Sequence, residues 1–335
     1  MRRANRRLRW RARARSLRGG GGLRILAAAA GGLAVFASFA PSTAWWAAIC
    51  GFALFGAAAR GTSWKSSAGL GVVFGIALYF PLLSWTNVYV GDVPWAGLAG
   101  AEALLVAPAA ALIGPASRRL PVWPVWGAAA WIGGEVLRSL FPFGGFPWGG
   151  VAFTQPDGPL LPIASVLGEA GLAFATVLAG FAAAELVTRA IGLRSMRPIT
   201  RGTALAIVGL VLLLAAPFVG GLAGRAAMPS TADAPVATVA VIQGNVPEPG
   251  LEFNAHRRAV LDNHAKETAA LAADIKAGKA LQPQIVIWPE NASDIDPYRN
   301  ADAAAEISAA AKDIGVPILV GAVVDAGQSG LSYNR

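Results

Sequence analysis

Long apolar segments dominate the first two thirds of the chain. Seven such segments are separated by short polar connections. A helix needs roughly 20 apolar residues to cross a hydrocarbon layer of about 30 Å, so segments of this length predict membrane-spanning helices. The segments are 25–40, 44–59, 68–84, 96–113, 122–137, 163–187 and 203–222.

The pattern changes after residue 235, where short apolar runs alternate with amphipathic stretches. Continuous apolar runs of this length predict strands buried on both faces, and strands that alternate with helices predict an α/β sheet. The predicted strands are 236–246, 284–290 and 316–324, the predicted helices are 254–276 and 299–314, and residues 331–335 resemble the start of another strand.

These patterns divide the chain into four parts. We expect a basic cytoplasmic arm at 1–22, a transmembrane domain of about seven helices at 23–222, a linker at 223–235 and an α/β domain at 236–335. The composition agrees, because 55% of the residues are hydrophobic and only 14% are charged, whereas soluble domains carry about 25% charged residues.

The distribution of charge predicts an orientation. The formal net charge is +9, and nine arginines without an acidic residue lie between Arg2 and Arg18. A basic run before the first apolar segment is typical of cytoplasmic retention beside anionic lipids, and no nucleic-acid-binding module follows it, so we expect no nucleic-acid partner. Basic residues also occupy alternate connections, which predicts a cytoplasmic N-terminus and a C-terminal domain on the outer face of the membrane.

A cleaved signal peptide is the alternative interpretation of residues 1–40, because a basic region there precedes an Ala-rich core. The second apolar segment follows after only three residues. This short connection favours a helical hairpin over a cleavage site.

The inventory of ligating side chains predicts neither a metal site nor a cofactor. Cys50 is the single cysteine and lies in an apolar segment, where a thiol usually behaves as a small hydrophobic group. His256 and His264 are eight residues apart, whereas a helical zinc pair is normally spaced by four.

Two regions carry candidate chemistry. Glu290 follows the predicted strand 284–290 after Pro289, which cannot donate to a strand ladder and turns the chain out of the sheet. Open α/β sheets place their sites at this edge, although a surface carboxylate is the common alternative. The aromatic, Gly- and Pro-rich loop 138–162 contains Phe146, Pro147 and Trp148, which indicate either an interfacial aromatic belt or a folded lipid-facing surface.

These residues resemble one known family. The sequence Val-Ile-Gln-Gly-Asn-Val-Pro at 241–247, followed by Ile-Val-Ile-Trp-Pro-Glu at 285–290, is similar to the opening of the nitrilase-like domain of apolipoprotein N-acyltransferases. The membrane half agrees in the order of its landmarks, which are Phe39, Pro41, Trp46, Phe74, Gly75, Trp85, Val90, Glu135, Arg138, Gly145, Phe146, Pro147 and Trp148.

The resemblance implies a multi-span α-helical membrane domain followed by the N-terminal portion of an α/β nitrilase-like (CN hydrolase) αββα sandwich. It implies a Glu-Lys-Cys triad in which Glu290 is the catalytic base and Phe146, Pro147 and Trp148 contact substrate. A phospholipid acyl donor would acylate the cysteine, and a diacylglyceryl-lipoprotein acceptor would take the acyl chain. Only the base has a counterpart here, so we expect a C-terminally truncated, inactive chain of the actinobacterial type from a bacterial plasma membrane.

Two other functions stay open at this stage. A membrane-tethered amidase shares the α/β fold, but a soluble substrate would not require seven spans. A scaffold is the alternative from a different class, because related actinobacterial membrane domains accompany a polyprenol-phosphate mannosyltransferase. An engineered truncation, a split gene and a pseudogene fragment are the alternative origins of such a chain.

Overall fold

A computed structural model describes residues 20–193, 201–229, 234–245, 257–325 and 332–334. The chain divides into two compact units: the first comprises Met1–Asn87 and Gly91–Pro229, and the second comprises Ser230–Arg335 together with Val88–Val90. The first unit is helical and the second contains strands and helices. Residues 1–19 of the basic arm and residues 194–200 of the predicted 188–202 connection lie outside the described residues.

The helical unit follows the predicted apolar segments. Each of the seven predicted segments overlaps a long helix, and a single additional turn of helix lies in the connection after the third one. The helices are α1 (Gly20–Phe36), α2 (Trp45–Ala59), α3 (Trp64–Leu82), α4 (Trp85–Val90), α5 (Asp92–Arg119), α6 (Trp123–Arg138), α7 (Ala164–Leu193) and α8 (Arg201–Ala227).

Four of these helices, α3, α5, α7 and α8, are long and apolar enough to cross a membrane. The helices α1 and α2 are apolar but shorter. The helical architecture therefore confirms a membrane domain, while the count of seven spans and their orientation stay predictions.

Small residues and aromatic rings bring the helices together. Gly75 of α3 lies against Ala103 of α5, where an added Cβ would come within 2.7 Å of the Ala103 backbone. Close approach of backbones through small residues is typical of helix pairs in membranes. Phe52, Phe74 and Trp131 form a buried aromatic cluster at the centre of this unit, with ring centroids 4.8 to 5.7 Å apart.

The second unit is built around a short parallel sheet. Its three central strands have the order β1-β2-β3, and β4 pairs antiparallel with β5. The predicted helices and the strand at 331–335 are confirmed in this unit. Its elements are β1 (Val239–Val241), α9 (Arg257–Lys276), β2 (Ile285–Ile287), α10 (Ala301–Ile314), β3 (Ile318–Leu319), β4 (Val323–Asp325) and β5 (Ser332–Asn334).

The prediction of one continuous strand at 316–324 is wrong. The segment forms β3 and β4, which belong to two different sheets. Gly321 lies between them, and a Cβ there would overlap the carbonyl oxygen of Pro289. The chain therefore passes against the turn that follows β2 and leaves the first sheet, which a local apolar pattern does not reveal.

The two faces of the parallel sheet have different environments. Val286 is fully buried and packs with residues of α9 and α10, including Leu261 and Ala310. On the opposite face, Val241 and Leu319 are 71% and 59% exposed, and both are in register with Ile287 of the central strand. Within the described residues, this apolar face has no covering layer.

Candidate functional site

Glu290 lies directly beyond the carboxyl end of the central strand, as the sequence predicted. Trp288 fixes the position of the preceding segment, because its side chain is 2% exposed and its indole Nε1 donates to the Thr268 hydroxyl at 2.9 Å. The backbone N–H of Ala292 donates to the Pro289 carbonyl, which closes a turn around Glu290. The Glu290 side chain is exposed, so it can reach a substrate or another side chain at this edge.

The turn is also held from its far side. The backbone N–H of Ser293 donates to the Gly321 carbonyl at 3.2 Å, and the N–H of Val323 donates to the Ser293 carbonyl at 2.9 Å. These bonds join the segment after Glu290 to the connection between β3 and β4. The carboxylate is therefore carried by a backbone that is fixed on both sides.

Two aspartates after Glu290 have perturbed acidities. Burial raises the pKa of the Asp294 carboxyl, and the charge of Arg257 acts in the opposite direction. The backbone N–H of Asp325 lowers the pKa of Asp296, and the N–H of Tyr298 has the same effect. Asp296 therefore connects the loop after Glu290 to β4 as a charged acceptor.

The helical unit presents the second candidate region, the loop 139–150 after α6. Phe146 packs partly buried against the helical core, whereas Trp148 is 52% exposed with its ring 5.3 Å from Trp85. Pro147 borders a cavity of about 120 Å³ that the polar side chains of Glu135, Arg138 and Glu169 also line. The loop therefore combines an exposed aromatic surface with a small polar cavity.

The ion pair beside this loop differs from the one that helical spacing predicts. Glu135 and Arg138 share a helix face, but Arg138 Nη1 pairs with Glu102 Oε2 of α5 at 2.8 Å. Glu135 Oε1 instead accepts the backbone N–H of Val151 at 3.0 Å and the Trp131 indole N–H at 3.3 Å. Glu102 lies in a different helix from Arg138, so spacing along the chain does not predict this pair.

The remaining titratable side chains give little indication of further chemistry. Within the described part of the chain, no group of three or more His, Cys, Asp or Glu side chains is arranged to hold a metal ion. His264 is buried against Trp288, with its Nδ1 2.7 Å from the Val260 carbonyl oxygen. Cys50 lies in α2 with an exposed side chain.

The architecture defines a class of protein: a membrane-type helical unit followed by an α/β unit with an exposed carboxylate at the sheet's carboxyl edge. Residues 31–182 match the family model of the apolipoprotein N-acyltransferase N-terminal domain. The helical unit therefore carries the N-terminal domain of the apolipoprotein N-acyltransferase family, and the resemblance seen in the motifs is confirmed.

Curated relatives with this name extend the match into the α/β unit. The chain is 45% identical over 316 residues to the apolipoprotein N-acyltransferase of Mycolicibacterium smegmatis. This match covers 90% of this chain and 52% of that protein. It is 31% identical over 288 residues to the apolipoprotein N-acyltransferase of Pseudomonas syringae pv. tomato. This match covers 80% of this chain and 51% of that protein. The protein of Azotobacter vinelandii is 31% identical over 285 residues, with 80% and 50% covered. The chain thus spans about half the length of these relatives.

Proposed function

We propose that this protein takes part in apolipoprotein N-acylation, with Glu290 as the general base. The reaction would transfer an acyl chain from a phospholipid to the α-amine of the N-terminal diacylglyceryl-cysteine of a lipoprotein. The position of Glu290 carries the proposal, because it is an exposed carboxylate at the edge where α/β sheets place their sites. The names of the relatives support the same reaction and give the mannosyltransferase scaffold no support.

The proposed chemistry has two half-reactions through one covalent intermediate. Glu290 takes the proton of a cysteine thiol that lies within about 3 Å, directly or through one water. The thiolate attacks the ester carbonyl of the phospholipid, the lysophospholipid alcohol leaves with a proton, and a thioester forms. The lipoprotein amine then attacks the thioester and releases the thiol, while a lysine stabilises the oxyanion in both steps.

Cys50 is a poor candidate for the nucleophile. It is the single cysteine of the sequence, and it lies in the apolar helix α2 of the helical unit. We therefore propose that the cysteine and lysine of the triad lie outside these 335 residues. It follows that the 335-residue polypeptide should not transfer acyl chains by itself.

The uncovered sheet face supports a nitrilase-like αββα sandwich. One face of the sheet packs on α9 and α10, and the opposite face exposes Val241 and Leu319 in one row. Parallel strands are normally buried on both faces. A second sheet that covers this row, with its own outer helices, would complete four layers.

The membrane domain would place this chemistry beside its lipid substrate. We propose a multi-pass protein of the bacterial cell membrane, with a cytoplasmic N-terminus and the α/β domain on the outer face. Phe146, Pro147 and Trp148 would then contact the acyl donor at the outer interface. Aromatic side chains are typical of that depth in the membrane.

The proposal is tested in a protein extended to the length of its relatives. Glu290→Gln keeps the size of the side chain and removes its basicity, so acyl transfer from a radiolabelled phospholipid to a diacylglyceryl-peptide should be lost. Glu267→Gln, at an exposed position of α9, is the matched control and should retain activity. Transfer by the Glu290→Gln protein at the parent rate would remove Glu290 from the mechanism.

A further inference from the structure

A single buried guanidinium holds the loop 139–150 to the helical unit. Arg138 Nη1 donates to Glu102 Oε2 at 2.8 Å, to the Phe146 carbonyl at 3.0 Å and to the Trp148 carbonyl at 2.7 Å. The side chains of Arg138 and Glu102 are only 4% and 3% exposed. Two of the three acceptors therefore belong to the loop and one to a neighbouring helix.

Other contacts close the loop around the same guanidinium. The backbone N–H of Phe146 donates to the Arg138 carbonyl at 3.0 Å, so Arg138 contacts the loop through its backbone as well as its side chain. Gly145 has a positive φ of 81° and lies so close to Ser139 that a Cβ would overlap the Ser139 carbonyl. The loop thus has a defined shape, with Trp148 on its surface.

A link between helices alone would not require this arrangement. A charged pair at membrane depth is costly, and two small or apolar side chains would pack α5 against α6 without it. Arginine offers a planar set of donors that can satisfy several acceptors in fixed directions, and its guanidinium also lies 5.2 Å from the centre of the Tyr79 ring. All three acceptors surround the same nitrogen, Nη1, and share its two hydrogens, so Glu102 and the two loop carbonyls together fix the position of the guanidinium.

We propose that Arg138, oriented by Glu102, is a positioning residue that keeps the loop 139–150 as a preformed surface for the acyl-donor lipid. Loss of the guanidinium releases the Phe146 and Trp148 carbonyls, and the aromatic surface loses its fixed position. The role of this surface in binding the acyl-donor lipid rests on the proposed function. The holding of the loop by Arg138 does not.

Loop order is measured in the 335-residue chain in lipid nanodiscs. Nitroxide labels are placed by Phe143→Cys, at the fully exposed tip of the loop, and by Leu104→Cys on α5, in a Cys50→Ser background. The distribution of distances between the labels should be narrow in the parent and should broaden roughly twofold in Arg138→Met, because a released loop samples several positions. Arg60→Met, which breaks the 2.6 Å ion pair with Glu185, is the matched control and should leave the distribution narrow.

A charge-neutral double variant separates positioning from folding. Glu102→Gln with Arg138→Met removes both charges of the buried pair, so it should fold even where Arg138→Met alone does not. Its distribution should still be broad, because the two carbonyl contacts remain absent. A narrow distribution in the double variant, or equal broadening in Arg60→Met, would overturn the proposal.

The consequence for lipid use is measured in the protein extended to the length of its relatives. The double variant should lose on the order of 100-fold in kcat/KM, mainly through a higher KM for the phospholipid. If the distance distribution broadens but the KM for the phospholipid is unchanged, the loop is not the surface that binds the acyl-donor lipid. The proposal that Arg138 holds the loop would still stand. Failure of the proposed function is recognised separately, by transfer that survives Glu290→Gln.

Discussion

Exposed apolar side chains have different meanings in the two units. In the helical unit, Leu104 and Leu212 are 62% and 64% exposed and lie on long apolar helices that a bilayer would surround. In the α/β unit, Val241 and Leu319 are exposed to a similar degree, but they lie on a sheet whose helices carry many charged side chains. Lipid around the helices would explain the first set, whereas the proposed second sheet would explain the second.

Charged side chains show the opposite contrast. Glu102 and Arg138 of the helical unit form a pair from which solvent is excluded. In the α/β unit, Arg258 is 45% exposed and connects α9 to Asp302 and Glu306 of α10. Surface pairs usually contribute less than about 1 kcal/mol, while breaking one partner of a buried pair costs roughly 3–5 kcal/mol. The Arg138–Glu102 pair should therefore contribute more to stability than the exposed pairs of Arg258.

The largest expected effect concerns the membrane context of the first unit. A periplasmic-type phosphatase fused after residue 230 should be active, and the same fusion in the 188–202 connection should be silent, because the enzyme folds only outside the cytoplasm. Western blots of both fusions control for expression. The opposite pattern would contradict the predicted orientation and, with it, the lipid explanation of the exposed helical surface.

The aromatic surface of the loop is the next point to test. In a protein extended to the length of its relatives, Trp148→Ala should lose most acyl transfer, because the lipid loses its contact at the interface. The variant should remain inserted in the membrane. Trp126→Ala is the matched control, since Trp126 is 53% exposed on α6 and lies outside the loop. Equal activity of the two variants would assign Trp148 to an ordinary aromatic belt.

Buried and exposed ion pairs should differ in their contribution to stability. Glu102→Ala leaves Arg138 as an unpaired buried charge and should lower the free energy of unfolding by about 3–5 kcal/mol. Asp302→Ala removes a 68% exposed partner of Arg258, which keeps other partners, and should cost less than about 1 kcal/mol. Denaturant titrations in micelles measure both, and similar losses would remove the distinction between the two units.

The bare sheet face gives a prediction whose outcome depends on chain length. Val241→Lys should have little effect on the 335-residue chain, because the side chain there is 71% exposed. In a protein of full relative length, the same change should lower thermal stability strongly, because a second sheet would bury an unpaired ammonium. Leu319→Lys in the same row should behave alike. A mild effect in both lengths would contradict the four-layer sandwich.

The sequence predicted elements well where their cause is local. The apolar segments predicted the helices of the first unit except the short α4, because length and composition decide membrane-type helices. Pro289 also correctly ended the strand before Glu290. Two predictions failed because their cause is distant in the chain. Gly321 divides the predicted strand through its contact with Pro289. Arg138 pairs with Glu102 of α5 and not with Glu135 of its own helix. Spacing tells which face a side chain lies on, and packing then decides its partner.

The smallest expected effect concerns the loop that follows Glu290. Hydrogen bonds from the backbone N–H groups of Asp325 and Tyr298 lower the pKa of Asp296 relative to the unfolded chain. A carboxylate with a depressed pKa stabilises the fold above its unfolded pKa of about 3.9, and this contribution disappears as the pH falls through the folded pKa. Asp296→Ala should therefore weaken the loop at neutral pH and have little effect in strong acid.

Hydrogen exchange of peptides from 290–300 measures this difference, after correction for the intrinsic pH dependence of exchange. At pH 7 the Asp296→Ala protein should exchange faster than the parent, and the two rates should converge as the pH falls below the folded pKa of Asp296. Asp274→Ala is the control, because its carboxylate lies 3.8 Å from Lys279 on the exposed end of α9. Faster exchange that persists equally at low pH would show that Asp296 holds the loop by packing and not by its charge.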